Sequence, residues 1–251
     1  MAGGSADAAA VLVGLNELYG ARLSMSELCA LGVSIGADVP FALMGGTCRV
    51  QGLGDLIKAL PPLPECWFTV VMPGYGISTP EAFAAYDKVG SSVHPDCAAQ
   101  EAAIRAGDLD AVCAAAGNAL EECSGAKDNE AIKAALRENG AVTALMTGSG
   151  AAVFGVFRTE AEAKAAADAL RARWPQVYTA QPVEGRGSPL SHAEGVTSVP
   201  RGATTTTAAS GGNRESLLGQ RPARRKRSAA DAGSRNPGAK HLWRVGQVSS
   251  E

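Results

Sequence analysis

The chain has 251 residues, 46% apolar, 19% charged and 5% aromatic, a composition that buries a core in one or two domains and excludes collagen-like, mucin-like and wholly disordered classes. No apolar run of about 18 residues occurs, and Met1–Asp7 has neither the basic start nor the apolar stretch of a signal peptide, so a membrane span or secretion is not expected. The net charge of −2 averages two opposite stretches: 12 Lys and Arg against 21 Asp and Glu over residues 1–185, and 11 against 4 over 186–251.

In chain order, Ala8, Val11, Leu12, Leu15 and Leu18 recur at helical spacing behind Gly3-Gly4-Ser5, and Gly20 ends the run. Ser24 and Glu27 have capping-box spacing before Leu28 and Leu31, which predicts a second helix. Gly36-Ala-Asp-Val-Pro-Phe41 is a break followed by a short apolar stretch. Gly45, Gly46, Gly52 and Gly54 then punctuate a strand, a turn and another strand. Pro61-Pro62-Leu63-Pro64 is linker-like and places a domain boundary, with 1–64 before it and 65–183 after it.

Trp67–Met72 has the length and β-propensity of a buried strand. Pro80 behind Ser78 and Thr79 opens a helix, alanine-rich helices fill roughly 96–139, and Gly140 closes the last of them. Ala144–Met146 and Ala152–Phe157 read as strands joined through Thr147-Gly148-Ser149-Gly150. Thr159 caps a helix over 160–173, and Val177-Tyr178 forms a last strand. This α+β order of strand, helices, strand, strand, helix, strand is that of a ferredoxin-like βαββαβ domain. Residues 187–251 contain eight Leu, Ile, Val or Phe, too few for a core, so 184–251 is expected to be a disordered, basic, low-complexity tail.

Six cysteines are scattered without a Cys-x-x-Cys, and His94, His192 and His241 stand near no cysteine pair. Reduced, buried thiols and a cytoplasmic location follow, and structural zinc is not expected.

Three segments can carry chemistry. The Gly3-Gly4-Ser5 loop ahead of a helix offers backbone N–H groups to an anion, or is a plain terminus capped by Ser5. Asp38, ahead of Pro40, either caps a helix or supplies a carboxylate base. Thr147–Gly150 is either a simple hairpin connection or a bend that lets a ligand approach the backbone.

The wording of these three segments resembles the GHMP kinases. Gly3-Gly-Ser-Ala-Asp-Ala-Ala-Ala10 is similar to the second half of that family's ATP loop, and Met146-Thr-Gly-Ser-Gly-Ala-Ala-Val-Phe154 to its C-terminal glycine motif. Leu31–Phe41, with Gly-Ala-Asp-Val-Pro-Phe, resembles the aspartate turn of the branch that acts on a cytidine diphosphate methylerythritol; Pro73–Pro80 supports that branch. The resemblance covers roughly residues 1–182.

It implies a small-molecule kinase using ATP with Mg2+, whose metal ligands the sequence does not reveal. By the resemblance, Asp38 is the base that accepts the hydroxyl proton, while Gly3, Gly4, Ser5 and Ala6 hold ATP phosphates. Gly148, Ser149 and Gly150 border the substrate, and Thr79 and Phe83 bind it, Phe83 by stacking on the cytosine or else as a core residue of its helix. Family members carry further strands and an assisting lysine ahead of the glycine loop. The reading is therefore of an incomplete ATP-binding domain in a truncated chain without kinase activity of its own. The apolar stripe of its first helix is expected to lack a partner, and Lys58 lies on the wrong element to replace that lysine.

Two other readings stand beside this one: another GHMP kinase, of homoserine or mevalonate type, and nucleic-acid binding through Arg221–Arg227. The basic run lacks interleaved aromatics, which argues for a solvated tail, and no membrane partner is implied.

Overall fold

The computed structural model describes residues 2–185 and the short strands Thr197–Ser198 and Trp243–Arg244. Three helices come first: α1 (Gly3–Leu18), α2 (Met25–Ile35) and α3 (Val39–Met44). The expected capping box starts α2, with Ser24 Oγ accepting from the Glu27 amide at 3.3 Å and the Glu27 carboxylate accepting from the Ser24 amide at 2.8 Å. Asn16 ties the connection by bonding both the amide and the carbonyl of Leu23. Ala9, Leu28, Cys29, Val39 and Leu43 form the small core of this unit.

The stripe on α1 is only partly used. Leu12 packs on that core, whereas Val11, Leu15 and Leu18 are 57%, 46% and 76% exposed, in line with the expectation of a helix face without a partner. Leu31 and Ile35 of α2 are exposed as well.

Strands β1 (Cys48–Gln51) and β2 (Leu56–Ala59) follow as an antiparallel hairpin in register Cys48↔Ala59 to Gln51↔Leu56. Next come β3 (Trp67–Met72), α4 (Thr79–Val89), α5 (Cys97–Ala106), α6 (Leu109–Ala114) and α7 (Asn129–Glu138). Last in this part are β4 (Thr143–Met146), β5 (Val153–Phe157), α8 (Glu160–Leu170) and β6 (Gln176–Ala180). Thr159 caps α8 in a second capping box, but the helix ends at Leu170 rather than 173, where Arg173 and Trp174 amides turn back to the Leu170 carbonyl.

The second sheet has the order β4–β5–β3–β6 with every neighbour antiparallel, the ferredoxin-like arrangement expected. Both of its faces are covered, which is why β3 reads as a continuous apolar run instead of alternating. Val71, Met146, Val153 and Phe157 meet Ile132 and Leu136 of α7 and the alanines of α8 on one face. Phe68, Val70 and Val156 meet Cys66 and Cys113 on the other. Thr69, fully buried in β3, is satisfied by donating to the Ala163 carbonyl at 2.8 Å. Phe157 has no exposed surface, so Phe157→Ala is expected to cost ~3–5 kcal/mol, seen as a lowered midpoint in urea denaturation with an unchanged slope.

The hairpin is joined to the helical region by one carboxylate. Glu101 of α5, 8% exposed, pairs with Lys58 of β2 at 2.6 Å, Arg105 at 3.2 Å and Arg49 of β1 at 3.5 Å. The bond to Lys58 leads the effects that hold its carboxyl below the ordinary value of 4.5, against the opposing pull of burial. A depressed carboxyl stabilises the folded state above its ordinary value and loses that contribution as pH falls through the folded one. Amide exchange in the hairpin is therefore expected to speed up in acid below about pH 4.5 more than in the second sheet, and Glu101→Gln should abolish that difference.

Within the segment expected to be a disordered tail, the structure describes two short strands. Strand β7 (Thr197–Ser198) pairs with β2, and β8 (Trp243–Arg244) pairs with β1, giving a first sheet of order β7–β2–β1–β8. The physical reason is that a two-stranded hairpin offers unpaired N–H and C=O groups along both outer edges, which an extended segment of low apolar content can still satisfy. The rest of the expected tail, including Arg221–Arg227, lies outside the described residues.

Candidate functional site

The glycines expected as a loop ahead of the first helix are its first turn. Ala2 is the N-cap, Gly3 and Gly4 are helical and exposed, and Ser5 makes no capping bond. A helix start tolerates glycine here because the first amides have no intrahelical acceptor in any case. Ser5 and Ala6 donate to the Ala2 carbonyl at 3.1 Å each, while the Gly3 and Gly4 amides have no bond among the described residues. No atom stands within 4 Å of where a Cβ would lie on either glycine. The result is an open, electropositive helix end that an anion can approach closely.

Asp38 occupies the N-cap position of α3, with φ −95° and ψ −12°, but its side chain makes no capping bond. The turn before it is fixed by the backbone: the Gly36 amide donates to the Gly32 carbonyl, and the Val39 amide to the Gly36 carbonyl. Val39 and Pro40 are buried, so the turn is anchored from the core side while Asp38 stays half-buried. Ser5 Oγ lies 4.0 Å from the Cβ position of Gly36, which brings the start of α1 beside the turn that carries Asp38. The tip of the β1–β2 hairpin closes the other side. Gly54, at φ +97°, rests on Ala37 so tightly that a Cβ would stand 2.0 Å from the Ala37 carbonyl oxygen.

The second sheet carries the other group. Thr79 opens α4, and its hydroxyl lies 2.8 Å from the Ser149 hydroxyl, so the helix start and the glycine bend after β4 meet. Phe83, one turn further along α4, is half-buried and packs against the main core with part of the ring exposed. Gly150 has φ +89°, a conformation that favours glycine, and a Cβ there would lie 2.7 Å from Met146 Sδ and 3.0 Å from Ile77 Cδ1, so those side-chain ends would have to shift. A cavity of about 420 Å³ opens alongside, between Tyr75–Ser78 and Ser124–Lys127; nothing in the sequence singled it out.

Sequence reasoning also missed the residues that hold the bend. Asn118 Nδ2 donates to the carbonyls of Met146 and Gly148 at 2.8 Å each, and its Oδ1 accepts from the Leu120 amide. Glu121 accepts from the Met146 amide at 2.5 Å and pairs with Lys133 of α7 at 2.7 Å. Burial opposes the charge on Lys133, but its bonds to Glu121 and Glu130 outweigh that and keep its pKa above 10.5. Only an Asn and a Glu three residues apart in a loop mark this support in the sequence, and no local rule reads them as partners of a bend nearly thirty residues on.

Lys58 of β2 is engaged with Glu101 of α5. All six cysteines are free, and burial pushes the Cys66 thiol up to about 12 and those of Cys29, Cys48 and Cys113 to about 11, so these four are packing groups. No helix among the described residues is long and apolar enough to cross a membrane.

An open helix start beside a carboxylate turn, followed by a ferredoxin-like unit with a glycine bend, defines a class. Residues 1–46 match the GHMP kinases N terminal domain and residues 100–176 the GHMP kinases C terminal domain, and the chain belongs to the GHMP kinases, whose phosphoryl donor is ATP. Within that family it is 40% identical over 182 residues to the 4-diphosphocytidyl-2-C-methyl-D-erythritol kinase of Enterococcus faecalis, covering 71% of this chain and 63% of the relative. It is 39% identical over 184 residues to the enzyme of the same name from Listeria monocytogenes, covering 72% and 62%.

A crystal structure of 4-(cytidine 5'-diphospho)-2C-methyl-D-erythritol kinase aligns with a TM-score of 0.61 at 32% identity, over 72% of this chain and 65% of that one. L. major mevalonate kinase, at 20% identity and a TM-score of 0.59, shares the fold alone. The chain thus spans a little under two thirds of the length of the curated relatives it matches.

Proposed function

We propose that this chain serves the ATP-dependent phosphorylation of 4-diphosphocytidyl-2-C-methyl-D-erythritol at its 2-hydroxyl, a step of the non-mevalonate isoprenoid pathway. The observation that supports the reading is the approach of Ser5 at the start of α1 to Gly36, two residues before Asp38, so that the open helix end and the turn carrying Asp38 are neighbours. ATP supplies the phosphoryl group. Gly3, Gly4, Ser5 and Ala6 hold its phosphates, and Asp38 accepts the proton of the substrate hydroxyl. The Gly3 and Gly4 amides fit that role because they make no bond among the described residues and glycine leaves the helix end unobstructed. Magnesium would accompany the triphosphate and offset its charge.

Thr79, Phe83 and Gly148–Gly150 take the cytidine diphosphate end. The exposed part of Phe83 can stack on the cytosine, an interaction worth ~1–3 kcal/mol. The functional division falls at Pro61–Pro64, with residues 1–64 binding ATP and 65–183 completing the substrate side. The raised thiols suit a reducing, cytoplasmic compartment.

The test follows phosphorus by NMR with ATP and either the cytidine substrate or homoserine, in a background extended to the length of the Enterococcus faecalis relative. A new phosphomonoester is expected with the cytidine substrate alone. Transfer to homoserine instead would overturn the reading.

A further inference from the structure

We propose that Asn118 is a positioning residue for the glycine bend at Thr147–Gly150, turning the Gly148–Ser149 peptide so that its N–H faces an anionic group of the substrate. The inference rests on the functional reading above and adds to it the group that orients the bend. It starts from the two bonds of the Asn118 amide, which spends one hydrogen on the Met146 carbonyl and the other on the Gly148 carbonyl, both at 2.8 Å. In a trans peptide the C=O and the following N–H point in opposite directions. With the Gly148 carbonyl drawn to Asn118, the Ser149 N–H is turned away from it.

The remaining bonds of the bend agree. The Thr147 amide donates to Ala152, the Gly150 amide to the Thr147 carbonyl, and the Met146 amide to Glu121. Among the described residues the amides of Gly148 and Ser149 alone in this stretch of Met146–Gly150 have no acceptor. The Ser149 hydroxyl meets Thr79, so the bend is also braced against the start of α4. Two adjacent unpaired N–H groups on a braced bend form a concavity for an oxyanion, and a phosphate oxygen of the diphosphate suits it. Asn118 does not itself touch the ligand; it decides which way the donor points. An Asp in its place keeps the shape but sets a carboxylate against two carbonyl oxygens, so the clamp opens.

The experiment uses the full chain and inorganic pyrophosphate, read by 15N–1H spectra during titration, for the wild type and Asn118→Asp. The Ser149 amide of the wild type is expected to move downfield on titration. In Asn118→Asp that movement should need roughly tenfold more pyrophosphate, the loss of one charge-assisted hydrogen bond. The Gly3 and Gly4 amides should respond alike in both proteins, which a general loss of structure would not allow. If Asn118→Asp does not fold, Asn118→Ala, which removes both donors without adding charge, is titrated in the same way. Equal responses of Ser149 in variant and wild type would overturn the positioning role and leave the functional reading standing. No response of Ser149 in the wild type would overturn the anion-binding role of the bend, and the proposal with it.

Discussion

Asp38→Asn is expected to lower phosphoryl transfer roughly 10²–10⁴-fold, the range for loss of a general base, while the dissociation constant for ATP changes little. The amide keeps the volume of the carboxylate. Gly36, Val39 and Gly54 hold the Asp38 turn through backbone bonds and packing, and the side chain makes no capping bond to α3. The melting temperature of the variant, measured beside its transfer rate, separates a fold effect from a chemical effect at this residue. The measurement is single-turnover transfer beside equilibrium nucleotide binding, in the extended background used to test the function. Near-normal transfer with an unchanged melting temperature would reduce Asp38 to a residue that begins a helix.

The second large effect is expected at Gly54. Alanine there has to adopt φ +97° and place its Cβ 2.0 Å from the Ala37 carbonyl oxygen, in contact with backbone rather than with the end of a yielding side chain. Strain of this conformation alone costs on the order of 1–3 kcal/mol, and the clash requires the hairpin tip to leave the Asp38 turn. Gly54→Ala should destabilise the N-terminal unit by at least that amount and lower transfer, although Gly54 carries no chemistry. Gly14→Ala is its control. That glycine lies inside α1 with no atom within 4 Å of its Cβ position, so the change should stabilise by ~0.5–1 kcal/mol. Thermal denaturation of the two variants side by side, with opposite signs expected, checks the argument.

Much of this architecture is legible in the sequence. Trp67–Met72 is a strand because six residues of high β-propensity are too few for a buried helix, and Ser24 and Thr159 start helices because a hydroxyl and a glutamate three residues on satisfy each other's amides. Four short strands around helices in that order leave few topologies, and the ferredoxin-like sheet is one of them. The three glycine-bearing segments were also visible, although the first is a helical turn rather than a loop. Helix and loop differ there only in backbone angles, which two glycines leave open.

What was not legible depends on contacts between distant segments. Asn118 and Glu121 clamp a bend that begins twenty-five residues or more beyond them, Glu101 joins a helix to a hairpin, and Gly54 stands against Ala37. Each residue type fits an ordinary loop or surface by its local pattern. Propensity, capping and hydrophobic period act over a few residues, so the sequence by itself determined the main elements up to residue 180, their order and the glycine-bearing segments. Which side chains orient those segments, and which glycines cannot be replaced, was decided by tertiary structure, because hydrogen-bond reach and close packing exist only once the chain has brought remote residues within a few ångströms of each other.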